Sequence, residues 1–367
     1  MVDGMITAIR NTDLKINAML VPGDLTSTGE PSEFIECMEL LVKIAETLVI
    51  PKERIFITYG NHDVNWNISK LADGNSEKAG DTYYKHVAAR LGPTLLNSPT
   101  LTNIGPIPGS GQHIDDKYEL TILNSGHDCC HDQQIKNGNL GQEQLNWIRK
   151  LPIGAKDKFK ILMIHHHPMN LPYPVVIKDL STLAEGPELL KEINRLEIDF
   201  VIHGHRHHPM LHTDMIHGCP KPVSFLCAGS VGAGSMDRND GDIPNSFHII
   251  SFAERTSRGS ISGKVLTYCY RGGSGWTKTA YSLQNPIDPE SYFGACNTEL
   301  EAKQDLELFI QNNSNLKLIK FPDLGALPLS VRCLTIEKIN LMIQDVLESC
   351  ELRMSGQYPG AVHGFKI

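Results

Sequence analysis

Apolar and polar positions recur along this chain in one order: a short apolar run, a polar or glycine-containing end, then a helical stripe. Residues 2–10 fit a helix, and Lys15 to Val21 read as a buried strand bounded by Pro22-Gly23, with Asp24 just beyond its end. Ser32 is placed to cap a helix reaching about Leu48, whose apolar face is Phe34, Ile35, Met38, Leu41, Ile44, Ala45 and Leu48. The strand Arg54 to Thr58 then runs into Tyr59-Gly60-Asn61-His62-Asp63. The order repeats downstream. Strands are predicted at Tyr118–Ser125, Phe159–Ile164, Asp199–Ile202 and Val223–Cys227, with helices at Gly141–Lys150 and Pro187–Leu196 between them. Strands alternating with helices predict an α/β fold with parallel strands, and in such sheets ligands gather at the carboxyl ends of the strands.

Two stretches depart from that order. From Asn65 to Gln112 the pattern breaks into polar, Gly- and Pro-containing segments with one helix predicted near Asp81 to Leu91, which reads as an insertion over the strand ends. Ser246–Ala253, Ile261–Arg271 and Trp276–Leu283 read as consecutive antiparallel strands that close a second sheet. The expected organisation is one domain over residues 1–285 and a mainly helical extension over 286–367, in which Ile336, Ile339, Ile343, Val346 and Leu347 form one stripe.

Composition narrows the function classes. With 367 residues, 41% of them hydrophobic, the chain is ordinary globular material. A net charge of −8 and the lack of a basic, aromatic-interleaved track disfavour nucleic acid as a partner. No run of eighteen apolar residues and no basic-then-apolar leader occur, so neither a membrane span nor export is expected, and the expected location is the cytoplasm. The nine cysteines are scattered without a Cys-x-x-Cys pair and read as reduced thiols. Histidine changes the picture. Nine of the sixteen lie between His165 and His217, the trace of a metal site.

The polar strand ends carry the chemistry. Asp24 follows the first, Asn61-His62-Asp63 the second, His165-His166-His167 the third, and His205 and His207 the fourth. Asn61 can offer an oxygen to a metal, His62 a proton, and Asp63 an acceptor that orients His62; a polar turn closing a strand is the alternative. If the ends converge, carboxylate, amide and imidazoles meet around cations of the Mn, Fe, Zn, Co or Ni type. Two ions about 3.5–4 Å apart can hold a hydroxide for in-line attack at phosphorus. Phosphoester hydrolysis uses such a site best.

Gly23-Asp24, Gly60-Asn61-His62-Asp63, the run at His165 to His167, and Gly204-His205-Arg206-His207 resemble, in order and spacing, the signature blocks of the calcineurin-like metallophosphoesterases. The likeness covers about residues 1–283, and its narrower form is to class III cyclic nucleotide phosphodiesterase-like members. It implies an α-β-β-α sandwich of two facing mixed sheets flanked by helices, and two metal ions. Asp24 would bridge them, with Asn61, His205 and one histidine of the triple completing one position and His207 belonging to the other. Family spacing favours His166, two residues before Pro168, with His165 the alternative. His62 would act as general acid and Asp63 would hold its ring. Arg206 and Asn124 are weaker candidates for substrate contact; His203, His208 and His212 are expected to be supporting or solvated, and His127 to serve a loop.

One family block is missing. The family begins with a strand ending in Asp-x-His, and no aspartate here is followed two positions later by histidine. The expectation is therefore a shortened product of a longer enzyme, with the first strand absent, one metal position intact and the other incomplete. A small-molecule phosphomonoester or phosphodiester is the expected substrate. A catalytically impaired binding scaffold and a metal-dependent nuclease are the alternatives.

Overall fold

The computed structural model describes residues 1–65, 101–127, 138–170, 182–216, 218–219, 221–232, 243–256, 259–278, 287–295, 298–312, 318–320, 327–358, 360 and 362–365. The helix expected near Asp81 to Leu91 lies outside them. The described chain divides into two compact units. The first holds Met1–Pro209, Phe225–Phe247 and Cys269–Thr277, and the second Met210–Ser224, His248–Tyr268 and Lys278–Ile367.

In the first unit, α1 (Val2–Arg10) precedes strand β1 (Met19–Pro22), helix α2 (Pro31–Thr47) and strand β2 (Ile55–Thr58). β1 and β2 pair in parallel, Met19 opposite Ile55 and Pro22 opposite Thr58. Helix α2 covers them through Ala45, which meets Ile50 and Ile55 in a small core flanked by Ile16, Met19, Val42 and Leu48. Its N-cap is Glu30 rather than Ser32. Pro31 takes the first helical position, where its missing N–H costs nothing, and the Glu33 carboxylate accepts the Glu30 N–H at 3.2 Å. The C-terminus is a Schellman turn: Ile50 N–H donates to Ala45 O, Val49 N–H to Glu46 O, and the buried Ile50 supplies the hydrophobic contact.

The larger sheet begins with β3 (Asn103–Ile104), β4 (Gly111–Ile114) and β5 (Tyr118–Ile122), followed by α3 (Gly141–Lys150), β6 (Phe159–Met163), α4 (Gly186–Arg195) and β7 (Phe200–His203). β4 pairs antiparallel with β3 on one side and β5 on the other, whereas β5, β6 and β7 run parallel. Strands β6 and β7 are buried along almost their whole length, which is why they read as unbroken apolar runs rather than alternating ones. The two sheets meet where the Thr58 hydroxyl donates to the Leu123 carbonyl at 2.7 Å. Cys269–Arg271 pairs antiparallel with Gly275–Thr277, and Trp276 there donates to the Met1 carbonyl at 2.9 Å and packs against Phe247 and Tyr270. That strand stops at Thr277; of the remainder expected up to Leu283, residues 279–283 lie outside the described chain.

The second unit has its own core. Strands Ser246–Arg255 and Ile261–Arg271 contribute His248–Arg255 and Ile261–Tyr268 to it, and Glu290–Phe293 pairs antiparallel with Gly263–Leu266. Helices Glu299–Gln311 and Ile336–Ser349 face each other through Ala302, Leu306 and Ile310 on one side and Ile339, Ile343, Val346 and Leu347 on the other. The stripe predicted on the second of these helices is thus core. Side-chain oxygens of Thr298 and Thr335 accept N–H groups of the first turns, fixing both starts.

Candidate metal centre

Parallel pairing brings the polar strand ends together. Pro22 lies opposite Thr58, Ile122 opposite Met163, and Met163 opposite Ile202, so the residues just past each of these emerge on one side. Two glycines make the approach close enough. A Cβ on Gly23 would stand 2.5 Å from His165 Nδ1 and 2.7 Å from Gly60 N, and one on Gly60 would overlap Asp24 and come within 2.7 Å of His165 Nε2. Main chain therefore forms the floor of the cluster.

His165 occupies its centre. Its Nδ1 lies 2.7 Å from the Pro22 carbonyl, which can only accept, so Nδ1 carries the hydrogen and Nε2 of the neutral ring presents a lone pair. Around that lone pair stand Asn61 Oδ1 at 3.2 Å, His205 Nδ1 at 3.2 Å and Asp24 Oδ2 at 3.4 Å. His205 Nδ1 is 2.8 Å from Asn61 Oδ1. His205 can place one N–H, that of Nδ1, among these atoms. His165, His166 and His205 together offer ligand atoms within 4.8 Å of one another, as a metal site requires. His207 stands further off, its Nε2 4.0 Å from Asp24 Oδ2.

The electrostatics suit a cation. Burial lowers the pKa of His165, and burial with neighbouring imidazoles holds His166 and His205 well below the ordinary value, so all three rings are neutral at pH 7. Burial works to raise Asp24, yet His165, His207 and His62 outweigh it and hold the carboxyl below the usual range. Asp63 goes the other way, to about 8, through burial and the charge of Asp24.

Asp63 serves a different partner from the one expected. Its carboxyl oxygens accept from Gly60 N at 2.9 Å, Thr26 N at 3.0 Å and the Thr26 hydroxyl at 3.3 Å, so it ties the loop after β1 to the loop after β2. The His62 ring instead places Nδ1 3.1 Å from the Ser27 carbonyl, while its backbone N–H donates to Asp24 Oδ1 at 3.1 Å. The reason is local: Asn61–Asp63 is a single 3-10 turn, which folds the Asp63 side chain back onto its own first N–H. Asn124 is buried and gives its side chain to the rim, donating to the Pro108 carbonyl at 2.8 Å and accepting from Gly126 N at 3.0 Å. Arg206 is half-buried within the His205–His207 turn, and His203 is buried below it. His212 belongs to the second unit.

Three of the gathered residues share an uncommon backbone. Asp24, His205 and His207 have φ of 56°, 70° and 54°, the left-handed region that residues with a Cβ seldom enter. Such outliers gather at functional sites.

The sequence matches the calcineurin-like phosphoesterase family over residues 5–209. The chain belongs to the calcineurin-like phosphoesterase family. The mixed α/β fold with its large mixed sheet is the one expected of that family, and membership supports a metal-dependent phosphoesterase in general terms. Similar solved structures include vacuolar protein sorting 29 from Cryptosporidium parvum, at 15% identity over 77% of this chain and 83% of that one, with a TM-score of 0.33. The protein TT1561 of Thermus thermophilus is 13% identical over 62% of this chain and 82% of its own, TM-score 0.35. A putative 5'-nucleotidase from Staphylococcus aureus is 12% identical over 75% of this chain and 46% of its own, TM-score 0.33. Among curated proteins nothing matches by sequence. No helix among the described residues is long and apolar enough to cross a membrane.

Proposed function

We propose that this chain hydrolyses a small-molecule phosphomonoester or phosphodiester with a cation held by Asp24, Asn61, His205 and the histidine run, and with His62 as general acid. The observation that carries the reading is the crowding of Asn61 Oδ1, Asp24 Oδ2 and His205 Nδ1 within 3.4 Å of a His165 nitrogen whose lone pair faces them. Lone pairs this close repel unless hydrogens or a cation lie among them; a neutral His205 can place one N–H there, whereas a cation would draw all of these donor atoms at once. Geometry thus favours His165 as a ligand, alongside the His166 that family spacing selects. Nitrogen and oxygen donors in this mixture suit Mn, Fe, Zn or Co, and Asp24 with His207 supplies part of a second position.

When bound, the cation supplies Lewis acidity toward a phosphoryl oxygen and lowers the pKa of water. The chain's own contribution is orientation. The Ser27 carbonyl accepts the Nδ1 hydrogen of the His62 ring, so the proton passed to a leaving oxygen is the second one, which the imidazolium form carries on Nε2. Asp63 keeps the loops bearing Asp24 and His62 in fixed relation through Thr26 and Gly60.

The test is metal-free protein reloaded with Mn(II) and assayed on bis-p-nitrophenyl phosphate and p-nitrophenyl phosphate. His62→Ala should retain the metal and lose about 10²–10⁴-fold in kcat. His205→Ala should lose both. Absence of metal uptake overturns the reading, and uptake without turnover of any phosphoester favours the scaffold.

A further inference from the structure

Ser125, three residues past the end of β5, is buried and meets His166 twice. Its Oγ accepts the His166 backbone N–H at 3.0 Å and stands 2.8 Å from His166 Nδ1. The ring is gripped elsewhere as well, because Gly138 lies against it so closely that a Cβ there would come within 2.6 Å of His166 Cβ and overlap the ring. The His166 side chain is fully buried, and its Nε2 has no hydrogen-bond partner among the described residues. Its ring centroid lies 4.8 Å from that of His165 and 4.4 Å from that of His205.

The bond to Ser125 has two possible directions, and they give His166 opposite chemistry. If the hydroxyl donates to Nδ1, then Nε2 carries a hydrogen that points among imidazoles with nothing to receive it, an arrangement folded proteins avoid. If Nδ1–H donates to Oγ, then Nε2 presents a lone pair to the same place. A buried lone pair facing two other imidazoles is satisfied by a cation, and a ligating histidine characteristically donates its other N–H to a fixed acceptor.

We propose that Ser125 is a positioning residue which, by accepting Nδ1–H, makes His166 Nε2 a third imidazole ligand beside His165 and His205. The proposal rests on the reading that this cluster holds a cation. A centre with three imidazoles is biased toward Zn, Co and Ni over Mg and Ca.

The experiment uses the full chain stripped of metal and titrated with Co(II), read by its visible absorption bands, and with Zn(II), read by calorimetry. Ser125→Ala should weaken Co(II) binding by about 10–100-fold and change the band pattern, as loss of one nitrogen ligand does. Ser125→Thr should restore both. In a His166→Ala background, Ser125→Ala should cost less than about twofold more, since its partner is already gone. Circular dichroism of the metal-free variants checks the fold, and Ser125→Cys, nearly isosteric but a poor acceptor, carries the same expectation should the alanine variant not fold. If the parent chain binds neither ion, the proposed function itself fails. If the parent binds and Ser125→Ala and Ser125→Cys bind equally well with unchanged bands, the role of Ser125 is overturned and the function stands.

Discussion

The helix ends and the strand ends of this protein use the same unfavourable backbone for different purposes. Val49, Glu197 and Glu351 close helices with φ of 58°, 54° and 57°, and each stands in a Schellman turn. The next residue donates back into the last turn: Ile50 to Ala45, Ile198 to Ile193, Leu352 to Leu347. Asp24, His205 and His207 adopt similar angles past β1 and β7, where the backbone turns to aim side chains at one another. At the helix ends any residue that tolerates the turn will do, and glycine would do better. At the strand ends the side chain is the point, so the strain is kept.

That contrast can be broken at several places. Asp24→Gly removes the carboxylate where a glycine backbone is at ease, so cation affinity should fall by at least about a hundredfold. The metal-free fold should stay within about 1 kcal/mol of the parent, because relief of the left-handed strain offsets the lost bond to His62 N–H. Calorimetric titration and chemical denaturation of the same variant measure both, and a collapse of the metal-free fold would show the residue to be structural. Asp63→Ala should do the reverse. Leaving the Gly60 and Thr26 N–H groups without their acceptor should cost about 2–4 kcal/mol in denaturation, with the loss of turnover following from displaced loops.

Acid should separate the metal-loaded and metal-free states. Burial pushes His212 and His248 down to about 4, and the three cluster imidazoles are lowered as well. Unfolded, each returns to about 6.5. For His212 and His248 the unfolded chain binds more protons between these values, so their contribution to stability is complete above pH 6.5 and is lost as pH falls through 4, and the cluster imidazoles act in the same direction below pH 6.5. Melting curves from pH 8 to 4 should show this decline, and saturating Zn(II) should move it to lower pH. A decline unaffected by the metal would place its origin outside the cluster.

The smallest expected effect lies at the helix end. Val49 is 84% exposed, β-branched and left-handed, so Val49→Gly should raise unfolding stability by about 1 kcal/mol while cation binding and turnover remain unchanged. An unchanged or lowered stability would remove the distinction between the two kinds of turn.

Much of the fold was legible because its periodicity is strong. Gly141–Lys150 and Val223–Cys227 coincide with their expected bounds. The expected strand from Lys15 begins only at Met19, as Lys15 to Ala18 carry no pairing partner among the described residues. The gathering of Asp24, Asn61 and His205 was legible from their places after strands. What Asp63 and His165 do was not. Whether a side chain two residues past a strand meets a ring or a backbone N–H depends on the local turn, and spacing to a proline says nothing about ring direction. Ser125 and Gly138 were missed for a related reason: a serine and a glycine in a loop carry no periodic signal, and only the close approach of His166 gives them meaning.

The bond from His165 to the Pro22 carbonyl has a consequence for how such a centre can change over generations. The group that fixes the ring is main chain, so no codon substitution deletes it, and a scan that replaces every side chain in turn would report nothing at that position for the right reason. Only a shift of β1 along β2 could withdraw it. The histidine's aim is therefore inherited with the register of two strands rather than with any residue, and lineages that keep the sheet keep the aim.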